Sequence, residues 1–295
     1  MLLGACTSGG DQAARARGGS EQAAGGQQAA GGQQPVGGPS LVDTIRDGGT
    51  VRLGADLTFP PLQFKNDAGE PAGYAVELAI AMMEDLGAEV EIVEVPFAEL
   101  FGALAAGRFD FSGIAATNLP ERAQQVMFAS EPLFVESNVI LKGPDTSVDS
   151  VDDLNSPDVT IAVLVGSSQE ASAAQLFPKA TLKALEQQPA IQDAASGRSD
   201  VVLLGEFNVA EVLETNSDLS VLEGPPVFAD INTFFMAVTD FKLKAYVDNW
   251  LRYQIIRGTL ASRWEELVAG PARELGIQST PVVSPYLRGS AAATG

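Results

Sequence analysis

The sequence predicts an α/β fold of two related lobes, each a mainly parallel sheet flanked by helices. Strand and helix signals alternate from residue 50 onward, and this order favours parallel strands with helices on both faces of the sheet. A short pattern also recurs ninety positions apart, at 106–110 and 196–200. In both copies a helix ends at a Gly-Arg-x-Asp run, whose glycine caps the helix, and an apolar strand follows. This shared order predicts that the two lobes are related.

The helices and strands follow from apolar spacing and from glycines at their ends. Apolar residues recur at helical spacing before Gly87, and both Gly87 and Gly107 stand where a glycine commonly caps a helix. The expected elements are a strand at 51–55, a helix at 74–86, a strand at 90–95, a helix at 98–106, strands at 109–115, 160–165, 201–204 and 232–238, and helices at 246–256 and 261–268.

Composition and charge exclude several classes of function. The chain has 295 residues and a net charge of −20; a strongly acidic surface repels phosphate backbones, so we expect no nucleic-acid partner. It has no histidine and a single cysteine, which removes histidine-based catalytic triads and nearly all zinc sites. We expect no cofactor and no metal. The longest apolar runs, such as 78–83, are too short to span a bilayer.

The first forty residues resemble the anchor and tether of a bacterial lipoprotein. Leu3-Gly4-Ala5-Cys6 resembles a lipobox, in which Cys6 would become the lipidated N-terminus; a chance tetrapeptide is the alternative. Residues 1–3 are too few for the basic and apolar regions of a signal peptide, so we expect further residues upstream. Residues 7–40 are almost entirely Gly, Gln, Ala and Ser. We expect them to form a disordered tether that spans roughly 30–35 Å.

Six motifs in a fixed order identify a family. They are Gly54-Ala55-Asp56-Leu57-Thr58-Phe59-Pro60-Pro61, Gly73-Tyr74-Ala75-Val76-Glu77-Leu78-Ala79, Thr117-Asn118-Leu119-Pro120-Glu121-Arg122, Val163-Leu164-Val165-Gly166-Ser167-Ser168-Gln169-Glu170, Gly197-Arg198-Ser199-Asp200 and Arg257-Gly258-Thr259-Leu260. Together they resemble the amino-acid-binding family 3 of extracellular solute-binding proteins, the receptors of ABC importers. The resemblance covers about three-quarters of the chain, from about 51 to 269.

This resemblance implies a periplasmic-binding-protein-like type II clamp. The two lobes would be joined by two crossing strands, near 135–136 and 229–230. Lobe 1 would then contain 41–136 and 230–295, and lobe 2 would contain 137–229. The resemblance further implies a monomer that delivers its ligand to an ABC permease. It would stand outside the cytoplasm, in the periplasm or on the outer face of the cell membrane, held there by the lipid on Cys6.

Arg122 is the candidate partner for a ligand carboxylate. A guanidinium is always charged and matches a carboxylate with two parallel hydrogen bonds. Thr117 can add a hydroxyl donor to the same carboxylate. Asn118 and Glu121 form a capping-box pattern that would hold Arg122 at the start of a helix, with Pro120 in its first turn. The alternative is a surface arginine at a helix start.

Four further residues lie where the family places ligand contacts, and Asp56 is a candidate because it ends a strand. Ser167 and Ser168 follow a strand and open a helix, whose N-terminal N–H groups bind anions; alternatively they cap that helix. The resemblance implies that Phe59 and Phe97 sandwich the ligand, although a buried phenylalanine is usually part of a core. Asp56 ends a strand, where α/β sheets commonly place ligand groups, or it caps the following turn.

The chain departs from the family pattern at the ammonium subsite. The strand after Asp200 usually ends in an aspartate that binds the ligand's ammonium, whereas direct alignment here gives Gly205, followed by Glu206. Either Glu206 takes the role after a shift of one residue, or the ligand lacks a free α-amino group. Ile114 and Ala115 also replace small hydroxyl residues, and Leu62 replaces a phenylalanine. We therefore expect a more apolar site than that of a basic-amino-acid binder.

Three functions fit these observations. The leading hypothesis is non-enzymatic capture of a small polar solute that bears a carboxylate, an amino acid or a derivative, for an ABC importer. The second is an enzyme on the same scaffold, a dehydratase or a lyase, with Glu206 or Asp56 as the acid or base. The third is a ligand sensor of the cell envelope.

Overall fold

The computed structural model describes residues 39–46 and 48–270. Cys6 and nearly all of the tether at 7–40 lie outside these ranges. The last two tether residues, Pro39 and Ser40, are described. The Ser40 hydroxyl donates to Asp240 Oδ1 at 2.7 Å, and the other oxygen of that carboxylate accepts from the N–H of Leu41 at the start of the first helix. Disorder of the tether stays a prediction. In the described part of the chain, no helix combines the length and the apolar character needed to cross a membrane.

The described residues form fifteen strands and eight α-helices. The strands are β1 (Thr50–Ala55), β2 (Thr58–Phe59), β3 (Gln63–Lys65), β4 (Pro71–Ala72), β5 (Glu89–Glu94), β6 (Phe111–Ser112), β7 (Ala116–Thr117), β8 (Val126–Phe128), β9 (Phe134–Lys142), β10 (Thr160–Leu164), β11 (Thr181–Leu185), β12 (Val201–Gly205), β13 (Ser220–Val221), β14 (Phe228–Thr233) and β15 (Phe235–Ala237). The helices are α1 (Leu41–Arg46), α2 (Tyr74–Asp85), α3 (Leu100–Ala105), α4 (Ser168–Leu176), α5 (Gln187–Ala195), α6 (Val209–Thr215), α7 (Phe241–Arg257) and α8 (Thr259–Trp264).

Two larger sheets carry the fold, as the sequence predicts. The first has the strand order β5-β1-β6-β15-β8, and the second has the order β11-β10-β12-β9-β14-β7 with β13 on β9. β1 pairs in parallel with β5 and β6, and β10 pairs in parallel with β11 and β12. Each sheet is nevertheless mixed rather than mainly parallel. β9 and β14 run in opposite directions beside each other, and β15 runs antiparallel to its neighbours.

The strand expected at 109–115 is much shorter than the apolar run that predicts it. β6 ends at Ser112, because the chain then leaves the first sheet. By Ala116 and Thr117 it pairs with β14 in the second sheet. Residues 113–115 therefore pass between the two sheets, although their apolar character alone reads as a continuation of the strand.

The Gly-Arg-x-Asp repeat has the same local structure in both copies. Each glycine has φ near +70°, a conformation that glycine adopts without the cost it has for other residues. The carboxylate of Asp110 then accepts a hydrogen bond from the backbone N–H of Arg52 at 3.0 Å. Asp200 accepts from the N–H of Thr160 at 2.8 Å. Each aspartate thus ties its own strand to the neighbouring parallel strand.

Candidate functional site

A cavity lies where the two sheets meet. It has about 50 Å³ open to the centres of water molecules, which is room for roughly three to five waters. Its walls come from β2, β3, β7, β9, β10, β12 and β14, from the turns that follow β1 and β10, from the short helix that begins at Phe97, and from the starts of α4 and α5. The residues that line it are Asp56, Thr58, Phe59, Leu62, Gln63, Phe97, Ala115, Ala116, Thr117, Phe134, Glu136, Leu164, Ser167, Ser168, Gln169, Gln187, Leu203, Leu204, Gly205 and Asn232.

Most of the site residues expected from the sequence meet at this cavity. Those that line it are Asp56, Phe59, Phe97, Thr117, Ser167 and Ser168. Arg122 and Glu206 are not among the lining residues. Leu62 and Ala115, which predict an apolar wall, also line the cavity.

The carboxylate of Asp56 accepts hydrogen bonds from its own loop and from a neighbouring one. Its carboxylate accepts from the N–H of Thr58 at 3.1 Å and from the Thr58 hydroxyl at 2.6 Å, and from the N–H of Phe97 at 2.8 Å. This is the turn-capping alternative, extended to a second loop. Asp56 thereby fixes the backbone that presents Phe97 to the cavity. Phe59 and Phe97 are both half-buried, so each packs on the core and still presents ring surface to the cavity.

Arg122 bridges the two halves of the site. Its Nη1 donates to the carbonyl of Thr117 at 3.0 Å and its Nη2 donates to the carbonyl of Gly166 at 2.8 Å. The guanidinium also lies over the rings of Phe97 and Phe101, 5.3 and 4.8 Å from their centroids. Burial lowers the pKa of Arg122 to about 10 against the opposing effect of nearby carboxylates, so the group stays charged at neutral pH.

The capping box expected at Asn118 and Glu121 does not form. Arg122 begins a short 3₁₀ helix that has no side-chain cap. The N–H of Asn118 instead donates to the carbonyl of Ile231 at 3.1 Å, because the chain still runs beside β14 at this point. Arg122 is positioned by the carbonyls it binds and by the two aromatic rings.

Ser167 caps α4. Its Oγ accepts from the N–H of Glu170 at 3.1 Å and donates to the carbonyl of Leu164 at 2.6 Å. The expectation that Ser167 contacts a ligand carboxylate stays a prediction. What the hydroxyl does in this structure is the alternative, a helix cap.

A network of hydrogen bonds joins α4 to the paired strands β9 and β14. The Ser168 hydroxyl donates to Asp230 Oδ2 at 2.6 Å, and the amide of Asn138 donates to the same oxygen at 3.1 Å. The Thr117 hydroxyl lies 3.2 Å from both Ser168 Oγ and Asn232 Oδ1. These hydroxyls orient one another and Asp230, so the ligand role expected for Thr117 and Ser168 would have to use this network.

Glu136 is one of the cavity residues that sequence reasoning missed, together with Gln63, Gln187 and Asn232. It lines the cavity and is 6% exposed. Burial and the nearby carboxylates of Asp230 and Glu206 raise its pKa from 4.5 to about 8. Phe134, Glu136 and Asn138 share the buried side of β9, which the residue types of this strand do not reveal because two polar residues stand on that side. An acid on the buried side of an alternating strand is unusual enough to mark a functional position.

Glu206 is not among the residues that line the cavity, whereas its neighbour Gly205 is. Its Oε1 accepts a hydrogen bond from the N–H of Ser137 at 3.1 Å. The expectation that a shift of one residue brings Glu206 to the ammonium subsite stays a prediction. Glu206 is turned toward the backbone of β9 because it follows β12 in a short 3₁₀ helix.

The cavity contains buried polar atoms without partners. Within the described ranges, four atoms of its lining lack a hydrogen-bond partner: Gln63 Oε1, Glu136 Oε1, Gln187 Nε2 and Asn232 Nδ2. A buried polar atom without a partner is costly and calls for an explanation. A polar ligand with both donors and acceptors would satisfy these atoms.

Comparison with known proteins gives the same family as the sequence motifs. The family model of the bacterial extracellular solute-binding proteins, family 3, matches residues 51–264. The ancestral amino acid-binding protein AncCDT-1, a precursor of cyclohexadienyl dehydratase, has a structure that matches with a TM-score of 0.68 at 30% identity. That match covers 78% of this chain and 100% of the ancestral protein.

Two curated proteins are also similar in sequence. The arginine-binding extracellular protein ArtP of Bacillus subtilis is 27% identical over 57% of this chain and 65% of its own length, slightly less than two thirds of that relative. Cyclohexadienyl dehydratase of Pseudomonas aeruginosa is 26% identical over 77% of this chain and 85% of its own length. A binding protein and an enzyme are thus both among the relatives.

Proposed function

Because the chain belongs to the bacterial extracellular solute-binding proteins of family 3, we propose that it captures a small solute and delivers it to an ABC permease. The solute is polar and bears a carboxylate: an amino acid or a derivative. The observation that carries the proposal is the cavity between the two sheets, with its unpartnered donors and acceptors.

The polarity of the unpartnered atoms supports a zwitterionic ligand. Gln187 Nε2 and Asn232 Nδ2 are donors that suit a carboxylate, while Glu136 Oε1 and Gln63 Oε1 are acceptors that suit an ammonium group. The names of the relatives agree in kind, since one is an arginine-binding protein and another an ancestral amino acid-binding protein. The small volume and the apolar wall favour a compact ligand, or one that the cleft admits by opening further.

The bridging contacts support capture by closure. Arg122 connects the core of the first sheet with the carbonyl of Gly166 before α4, and the amide of Asn208 lies 3.3 Å from the carbonyl of Pro60. Such contacts form only when the two sides approach, and a ligand between them would favour the closed state. A permease can then distinguish the closed, loaded protein from the open one.

The ligand is expected to stabilise the protein against heat. A compound that binds the folded state at 100 times its Kd adds about 2.7 kcal/mol of stability. We therefore expect a rise of several degrees in Tm with at least one member of a panel containing the L-amino acids, L-cystine and short carboxylates. Differential scanning fluorimetry measures it. A flat response across the whole panel would contradict the proposal.

One observation favours an enzyme as the second candidate. The chain is similar to cyclohexadienyl dehydratase, and a raised pKa keeps Glu136 protonated at neutral pH, as a general acid requires. Asp56 and Glu206, the candidate acids expected from the sequence, already accept backbone hydrogen bonds. We propose that the protein is not an enzyme: compounds that raise Tm should be recovered unchanged after hours of incubation. Formation of a product by the wild-type protein, and not by the Glu136→Gln variant, would overturn this.

We also propose that a lipid on Cys6 anchors the protein on the outer face of the membrane. The family is extracellular, and a soluble receptor next to its permease benefits from a tether. In cells that express the complete gene product, we expect the protein in the membrane fraction, and Cys6→Ser should release it. Ser8→Ala is the matched control. Equal membrane association of the Cys6→Ser protein would contradict the anchor.

A further inference from the structure

The carboxyl group of Glu136 occupies the space of a side chain at position 205. β9 and β12 run antiparallel, with Gly205 opposite Asn138. Glu136 lies two residues before Asn138 in β9, on the same side of the strand. A Cβ at Gly205 would lie 2.5 Å from Glu136 Cδ and still closer to Oε1. The three nearest atoms to that Cβ all belong to the Glu136 side chain. Gly205 and Glu136 therefore form a complementary pair, in which one residue has its side chain where the other lacks one.

The environment of Glu136 calls for a positive charge. Asp230 is directly opposite Glu136 on β14 and is 7% exposed. Like charges at directly opposed positions destabilise a pair of strands. Asp230 already accepts from Ser168 and Asn138, whereas Glu136 Oε1 has no hydrogen-bond partner in the described part of the chain. Glu136 thus needs either a proton or a cation from the cavity.

We infer that Glu136 binds the cationic group of the ligand, and that Gly205 leaves the space for it. In the family pattern, an aspartate at the end of the strand after Asp200 has this task. Here the carboxylate reaches the same place from β9 instead of β12. The inference rests on the proposed function and adds to it the pair of residues that accommodates the cationic group of the ligand, with the carboxylate supplied from β9 and the space supplied by Gly205 on β12.

The titration of Glu136 gives the inference a pH signature. The groups that face it are Asp230 on β14 and Glu206 after β12, and both carboxylates, together with burial, raise its pKa to about 8. A bound cation favours the ionised form, so binding should release about one proton near pH 7. Affinity should rise with pH until the carboxyl of the free protein is ionised, near pH 8.

The test uses an exchange of the carboxylate between the two strands. The probes are the L-amino acid that raises Tm most and its N-acetyl derivative, which keeps the carboxylate and lacks the cation. Calorimetric titrations of wild-type protein in buffers of different ionisation enthalpy measure affinity and proton release together. The variants are Glu136→Gln, Gly205→Asp, the double variant Glu136→Ser with Gly205→Asp, and Glu84→Gln as a control on the exposed side of α2.

We expect Glu136→Gln to lower the affinity for the amino acid at least 30-fold and to abolish proton release. Gly205→Asp alone should bind weakly, because its side chain collides with Glu136. The double variant should recover to within about tenfold of wild type, since the new carboxylate then has the vacated space. Glu84→Gln should be unchanged. Rescue by the double variant separates loss of a ligand contact from loss of folding.

Two results would overturn the inference and leave solute capture intact. The first is equal affinity of wild-type protein and Glu136→Gln for the amino acid. The second is binding of the N-acetyl derivative, or of a plain carboxylate, as tightly as the amino acid. If no compound of the panel binds the wild-type protein, the proposed function fails, and the inference fails with it.

Discussion

Arg122→Met should weaken ligand binding about 100-fold and lower the free energy of unfolding by about 2–4 kcal/mol. The substitution leaves the carbonyls of Thr117 and Gly166 without the donors that they have in wild-type protein, and a hydrogen bond to a charged group contributes about 1.5–3 kcal/mol. It also removes the cation–π contacts with Phe97 and Phe101. Because the guanidinium packs on Phe97 and Phe101 beside the first sheet and donates to Gly166 after β10 of the second sheet, the closed state should lose more stability than the open one.

Calorimetric titration and urea denaturation measure the two effects separately. Arg108→Met is the matched control, because Arg108 forms an ion pair with Glu99 that is about half exposed and contributes little to stability. Arg122→Lys keeps the charge but not the planar fork, and we expect it to remain well below wild type. Binding by Arg122→Met within threefold of wild type would show that the bridge does not support closure.

The free energy of unfolding should fall as the pH rises from about 5 to 8, by up to about 1.4 kcal/mol per pH unit. The pKa of Glu136 is raised from 4.5 to about 8 in the folded protein. Between these two values the folded state holds a proton that the unfolded state has lost. Stability therefore decreases as pH rises through this window and is highest below it.

Glu136→Gln separates this titration from that of the other acids. Urea denaturation at several pH values gives the free energy of unfolding of the wild-type protein and of the variant. The difference, wild type minus variant, should fall as the pH rises toward 8, because only the wild type has this carboxyl group. At pH 8 the variant should be the more stable protein, because it has no buried carboxylate to ionise beside Asp230. Glu84→Gln, with an exposed acid, should follow the wild-type curve. Parallel curves for wild type and Glu136→Gln would contradict the raised pKa.

Asp230 affects the pKa values of both Arg122 and Glu136. The charge of Asp230 opposes the effect of burial on the pKa of Arg122, and the same aspartate raises the pKa of Glu136. The buried carboxylate of Asp230 thus helps to keep Arg122 charged, and it also helps to keep Glu136 protonated.

Local pattern predicts the secondary structure well where an element stays in one sheet. Tyr74–Asp85 and Thr160–Leu164 agree with the expected helix and strand to within one residue. The prediction fails at 113–115, where the chain changes sheets, and at Asn118, whose N–H binds β14 instead of opening a capped helix. In both places the local signal is overridden by a pairing with a distant strand.

The site was predicted in the same uneven way. Residues that follow the ends of strands, such as Asp56, Phe97 and Ser168, were found, because motif order and strand ends place them at the cavity. Glu136 was missed, because it lies inside a strand and its meaning depends on Gly205. Glu206 was chosen by alignment along the chain, although the carboxylate that reaches the cavity comes from another strand.

The amino-acid sequence was enough to predict the alternation of strands and helices, the internal repeat, the family and six of the residues that line the cavity. These depend on spacing and residue type within short segments, which pattern reasoning reads directly. The tertiary structure alone decided that Arg122 binds two carbonyls and that Glu136 takes the place beside Gly205. Both depend on which side chains share space across paired strands, and that is set only when distant segments pack.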